Sequence, residues 1–398
     1  MLFFFAFLLS VTLLGSFTIG PLTARVLMTI VIGLYLFHLK AHKLRKAYIS
    51  IDHSYLKLYI VFLLLMGIAQ LLNGEIVEYQ YFKKLLAYHL VCIVTFIAIE
   101  YYVNSYYDLK RVILLFTVVM LFNNITSILQ FNGNDLGWRM GMFFSDIQEE
   151  IEFADRHDTL LGISLTPGLF GHVVNNAFAI AVLCPLSLSL IEKHTNIYIK
   201  IFVIITIIIA FITCFITQQR TAFALFVVSI AVYLFVTFKR NFYISLLIVL
   251  ILLIIASNVD ITEIDFGRLS KTENNDRNDL YMYALDFISE HPILGGPMAY
   301  QKIAGVSSHN LVLDSWIFSG FLGFVAMMVL YLKTIVECIK SVYKGIINNP
   351  NCYMVFCSLS VLIAMLYGMT HNTSYLTGNV IVFIALALML KTLKIEYD

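Results

Sequence analysis

Charge is what this sequence has least of. Asp, Glu, Lys and Arg together make up 13% of its 398 residues, against about a quarter in soluble globular domains. That shortage excludes a single soluble fold, and a formal net charge of +1 leaves no basic excess for a nucleic-acid partner. Cysteine is scarce as well. Cys92, Cys184, Cys214, Cys338, Cys352 and Cys357 all fall in apolar runs or on loops read below as cytoplasmic, so no disulfide is expected. No grouping of His, Asp or Glu has the spacing of a metal cage, so no metal site is expected. The N-terminal apolar run lacks both a basic leader and a small-x-small cleavage pattern, and therefore reads as a helix rather than a signal peptide. Internal repeats and inverted pairs of broken helices are also missing, which disfavours the common transporter architectures.

Apolar residues are abundant: 60% of the chain is hydrophobic and 14% aromatic. A bilayer core of about 30 Å needs about 20 mostly apolar residues per helix, and roughly twelve such runs are present. They are Leu2 to Ile19, Leu22 to Leu39, Leu56 to Leu72, Lys84 to Val103, Val112 to Phe131 and Leu169 to Ile191 in the first half. Tyr198 to Thr217, Thr221 to Phe238, Phe242 to Ser257, Leu311 to Leu332, Cys352 to Met369 and Gly378 to Leu390 follow. Because these runs are apolar on every face, barrel strands are excluded as the spanning element. The expected fold is an all-α polytopic transmembrane bundle, one integral membrane domain over residues 1–398.

Lys and Arg in short loops are retained on the cytoplasmic side. Alternate loops carry them: Lys40 to Lys57, Lys110 and Arg111, Lys193 and Lys200, Lys239 and Arg240, Lys333 to Lys344, and Lys391 with Lys394. Acidic residues concentrate instead in two long loops, residues 132–168 and 258–310. Both termini are therefore expected in the cytoplasm and both long loops outside.

The second long loop holds Arg277 at the head of a stretch in which Leu280, Tyr283 or Ala284 and Phe287 recur at helical spacing, ended by Pro292, Gly295 and Gly296. This reads as an amphipathic external helix. A basic residue in the first turn opposes the helix dipole unless an anion is near; the plainer reading pairs Arg277 with Asp276 or Asp279. His309, followed by Asn310, lies where the chain re-enters the membrane, and a neutral imidazole there is able to take a proton from a hydroxyl, although a lone loop histidine is also commonly incidental. Arg220, in the short polar break Thr217 to Thr221, presents a planar fork suited to phosphate oxygens, or else anchors the helix at the interface. His172, Asn175 and Asn176 open the sixth run, where they either line the same cavity or pair between helices. The acidic stretch Asp146 to Asp158 reads as a solvated face.

In this order the pieces resemble the O-antigen ligase and O-antigen polymerase superfamily of C-type membrane glycosyltransferases. The resemblance is strongest over residues 169–332. It rests on Gly168-Leu169-Phe170-Gly171 with Asn175-Asn176, on Thr217-Gln218-Gln219-Arg220-Thr221, on Arg277 with His291-Pro292-Ile293-Leu294-Gly295, and on His309-Asn310 with Gly320 and Gly323. The chain departs from the polymerase pattern of an Arg followed eleven positions on by Gly, since Arg139, Arg156, Arg268 and Arg277 meet Glu150, Pro167, Asp279 and Ile288 there. The resemblance implies a transferase acting outside the plasma membrane on an undecaprenyl diphosphate-linked oligosaccharide, without metal or other cofactor. It makes Arg220 and Arg277 the diphosphate-binding residues and His309 the general base, with Asn310 steadying the loop or the acceptor. Polymerisation of lipid-linked repeat units is the leading expectation, with a chain-length regulator and a flippase as partners. Ligation of the glycan to lipid A core is the alternative. A flippase would need ionisable groups within the bundle, and a receptor or scaffold gives no reason for arginines and a histidine at one rim.

Overall fold

The structure is a computed structural model that describes residues 1–13, 18–19, 22–41, 53–74, 79–144, 166–192, 195–217, 219–237, 275–305, 307–347, 352–371 and 378–395. The expected span Phe242 to Ser257, the acidic stretch Asp146 to Asp158, and the basic residues Lys43, Arg45, Lys46, Lys193, Lys239 and Arg240 lie outside the described residues.

Helices dominate: α1 (Leu2–Leu13), α2 (Ala24–Ala41), α3 (His53–Leu72), α4 (Tyr79–Tyr102), α5 (Tyr106–Phe131), α6 (Asp135–Phe144) and α7 (Val173–Leu188). After them come α8 (Ile197–Ile216), α9 (Arg220–Thr237), α10 (Asn275–Glu290), α11 (Pro297–Ala304), α12 (Leu311–Ile347), α13 (Cys352–Gly368) and α14 (Val380–Lys394). Each expected span that falls within the described residues contains a helix. Among the described residues five helices, Ser54–Leu72, Tyr106–Phe131, Ile197–Ile216, Arg220–Thr237 and Leu311–Ile346, are long and apolar enough to cross a membrane by length and composition, and shorter apolar helices accompany them.

Two expected runs need correction. The first does not stay helical to Ile19: Thr18–Ile19 and Leu22–Thr23 form a short antiparallel ladder, pairing Thr18 with Thr23 and Ile19 with Leu22. β-branched residues flanking a Gly20-Pro21 dipeptide, a turn sequence, favour this over a helix. The run from Leu311 is one helix by hydrogen bonding only, because Gly320 has φ 63° and ψ −173° and breaks it into a short first piece and a long second one.

Three helices form the centre. In α7, α13 and α14 nearly every side chain is buried, while α8 turns Ile201, Ile204, Ile205, Ile208 and Ile212 outward, as a lipid-facing surface requires. Lipid tails are as apolar as Leu, so helix association in a membrane depends on close packing and interhelical hydrogen bonds. Ala177, Ala179 and Ala181 on α7, with Ala385 and Ala387 on α14, provide the small contacts. Ser360 Oγ donates to the Val182 carbonyl (2.6 Å), Thr117 Oγ1 to Ser187 Oγ (3.0 Å) and Tyr331 OH to the Met365 carbonyl (2.6 Å).

Helix ends sort into two sets. At one end of the bundle Glu100, 3% exposed at the close of α4, meets Lys394 Nζ at 3.0 Å and Lys391 Nζ at 3.9 Å in the last turn of α14. Lysines there oppose the negative pole of the helix as well as the carboxylate. Lys333 on α12 bonds to Ser54 at the start of α3, and Lys110 at the start of α5 donates to Thr195 (3.3 Å). At the other end Asn73, just past the close of α3, donates from Nδ2 to the Leu294 carbonyl at 3.2 Å. Helices α7, α9 and the first piece of α12 begin on that side, where α13 finishes.

Candidate functional site

At that second end α10 and α11 form a small cap with its own apolar core of Ala284, Phe287, Ile288, Tyr300 and Ile317. Burial, and then the charge of Asp314, push the Tyr300 phenol up to about 12, so it stays a neutral donor to the Leu280 carbonyl (3.3 Å). The His291 to Gly296 turn locks this cap onto α12. Trp316 Nε1 donates to the Pro292 carbonyl (2.8 Å), Gly296 N to the Ile317 carbonyl (2.8 Å) and Phe321 N to the Ile293 carbonyl (3.0 Å). The last bond is the reason for the break in α12. A Cβ at Gly320 would run into the Ile293 carbonyl, and one at Gly295 into the carbonyls of Trp316 and Ile317. Both glycines also have positive φ, where other residues are strained. Gly320 thus opens the helix so that the cap attaches.

Just before α12, His309 is the one non-glycine described residue with positive φ, at 55°. Such a backbone persists only where its surroundings hold it, and here both neighbours do so. Ser308 is fully buried and bonds through N and Oγ to Asp314 Oδ1 at 3.0 and 2.8 Å. Asn310 caps the helix, its Oδ1 accepting from Val312 N (2.9 Å) and Leu313 N (3.3 Å), while its Nδ2 donates to the Met369 carbonyl (3.3 Å). The His309 ring, half-buried, faces His371 edge to face with centroids 6.5 Å apart.

The segment after α13 joins the motifs. Tyr367 stacks on His371 (4.7 Å) and its hydroxyl donates to the Val174 carbonyl at the head of α7 (3.2 Å). Thr370 Oγ1 lies 3.3 Å from Thr221 Oγ1, beside Arg220, the half-buried first residue of α9. Arg220, His309 and Asn310 therefore stand on elements that converge on Tyr367 to His371. Arg277 occupies the first turn of α10; its side chain lies outside the described residues.

The α7 polar group has a different structure. His172 is exposed and caps α7, its Nδ1 accepting from Val174 N at 3.1 Å. Asn175 is half-buried beside it. Asn176 is fully buried: Nδ2 donates to Ser127 Oγ (3.0 Å) and the Thr166 carbonyl (2.8 Å), and Oδ1 accepts from Asn123 Nδ2 (2.7 Å). Among the described residues no three His, Cys, Asp or Glu side chains group closely enough to hold a metal ion. Asp314, Tyr367 and His371 were missed by sequence reasoning. Nothing local marks them, since an aspartate in a helix and a histidine past the end of a span acquire their neighbours only in the fold.

No curated protein matches this chain. Residues 205–328 match the family model Wzy_C, described as O-antigen ligase. The matched stretch runs from within α8 into the second piece of α12, and so takes in Arg220, Arg277, His309, Asn310 and Gly320 while leaving out His172, Asn175, Asn176 and His371. Residues 205–328 are thus similar to an O-antigen ligase family, in a chain whose described helices include several long and apolar enough to cross a membrane.

Proposed function

We propose that the protein is a glycosyltransferase of the bacterial plasma membrane that polymerises undecaprenyl diphosphate-linked repeat units on the external face. Both termini lie in the cytoplasm in this reading, and the chain crosses the bilayer about twelve times as a single domain. The observation that carries it is that His309, at φ 55° between two anchored neighbours, packs against the same Tyr367 to His371 segment that contacts the head of the Arg220 helix.

The step balances without an external acid. A hydroxyl of the acceptor sugar attacks the anomeric carbon of the donor as its proton passes to His309, the new glycosidic bond forms, and the bond from that carbon to the diphosphate oxygen breaks. Undecaprenyl diphosphate leaves with the electron pair. Its developing charge is met by the guanidinium groups of Arg220 and Arg277, which act most strongly in a poorly solvated site. Attack opposite the leaving group inverts the anomeric centre. Asn310 holds the loop, as its cap and its bond to Met369 support. Diphosphate is already a good leaving group, so neither a carboxylic acid nor a metal is required in this scheme. A flippase that supplies the repeat unit and a chain-length regulator are the partners this reading implies.

A ligase is the second reading, favoured by the description of the matched family model and by the missing Arg and Gly pattern; donor and site would be shared and the acceptor would be lipid A core. The glycan profile of a deletion strain separates the two. Single repeat units left on the final acceptor support polymerisation, and long chains stranded on the carrier lipid indicate ligation. An unchanged profile overturns both.

A further inference from the structure

His371 belongs to none of the arginine and histidine motifs and lies beyond residues 205–328, yet it is buried, 6% exposed, at the point where those motifs meet. Its surroundings fix it firmly. The backbone N donates to the Tyr367 carbonyl at 3.0 Å, and the ring stacks on Tyr367 with an interplanar angle of 26°. Tyr367 is fully buried, packs on Phe178 (5.2 Å) and is tied by its hydroxyl to Val174. The imidazole of His371 is therefore backed by two of the central helices, α7 and α13.

His309 is the contrasting case. Its main chain is held by Ser308 and Asn310, but those bonds leave the side-chain torsions to be set by whatever the ring touches. The T-shaped contact with His371, 73° between planes, supplies such a limit. We infer that His371 is a positioning residue for His309: a rigidly backed ring against which the half-exposed imidazole is held in line with the acceptor hydroxyl. This rests on the reading of His309 as the general base. A displacement of about 1 Å in a reacting group lowers a rate by about a hundredfold, so the angle of this ring matters even though His371 itself touches no reacting atom.

The contact is between rings, so a phenyl group should satisfy it and a methyl group should not. Purified full-length protein would be assayed with undecaprenyl diphosphate-linked glycan extracted from cells lacking this protein. His371→Ala should lower kcat by about tenfold to a hundredfold with KM for the donor unchanged, and His371→Phe should stay within about threefold of wild type. His309→Ala combined with His371→Ala should be no slower than His309→Ala alone, because a residue that acts through His309 has nothing left to position. Wild-type turnover by His371→Ala, or losses that multiply in the double variant, would overturn the inference while His309 remained the base. An active His309→Ala protein would overturn the base assignment and this inference with it.

Discussion

Two clusters of polar side chains sit at the same end of the bundle and are built from similar residues, yet one is closed and the other is open. Around Asn176, the side chains of Asn123, Ser127 and Gln130 are all fully buried. They use their amides and hydroxyls on one another and on the backbone of the loop before α7. Gln130 Oε1 takes Gly168 N at 2.8 Å, and Asn123 Oδ1 takes Leu169 N at 2.8 Å. Around His309 the buried members, Ser308 and Asp314, bond to each other and hold a strained backbone, while the imidazole stays half-buried at the rim. A polar network that satisfies itself makes a rigid joint. One whose interior bonds position a reactive side chain at the surface is suited to chemistry.

Substitution should affect the two clusters in opposite ways. The largest effect is expected at His309, where loss of a positioned base lowers a rate by about a hundredfold to ten-thousandfold and leaves the folded protein intact. Asn176→Leu should do the reverse. It strands the partners at Asn123, Ser127 and Thr166, each unpaired buried group costing about 1–3 kcal/mol, so the yield and thermal stability in detergent should drop while turnover per folded molecule stays at the wild-type level. A stable but inactive Asn176→Leu protein would move Asn176 into the site. The smallest effect is expected from His172→Ala, which removes an exposed cap worth at most about 1 kcal/mol; a large loss of turnover there would extend the site to the head of α7.

The helices were legible because a membrane span needs a long apolar run and little else; the caps Asn196 and Asn379, whose side chains accept from Tyr198 N (2.9 Å) and Ile381 N (3.0 Å), came only with the structure. Helix α4 begins at Tyr79, before the expected Lys84, because residues at the interface remain helical without being apolar. The break at Gly320 was not legible. Glycine in an apolar run reads as a packing contact, and only the Ile293 carbonyl, far off in sequence, shows why the helix must open. Arg220, His309 and Asn310 announced themselves as polar residues at span ends. The distinction between Asn176 and Asn310 did not, since both are asparagines at a helix start and differ only in what surrounds them.

Reconstituted transfer tests the central claim most directly. Wild-type, Arg220→Lys and His309→Ala proteins in liposomes would be given undecaprenyl diphosphate-linked glycan on the external face, with EDTA present. The expected result is glycan transfer by wild type, loss of most of it in Arg220→Lys because an ammonium lacks the planar fork, and turnover by folded His309→Ala about a hundredfold or more below wild type. Transfer by His309→Ala within a few-fold of wild type, or none by well-folded wild-type protein, would contradict the assignment of this site.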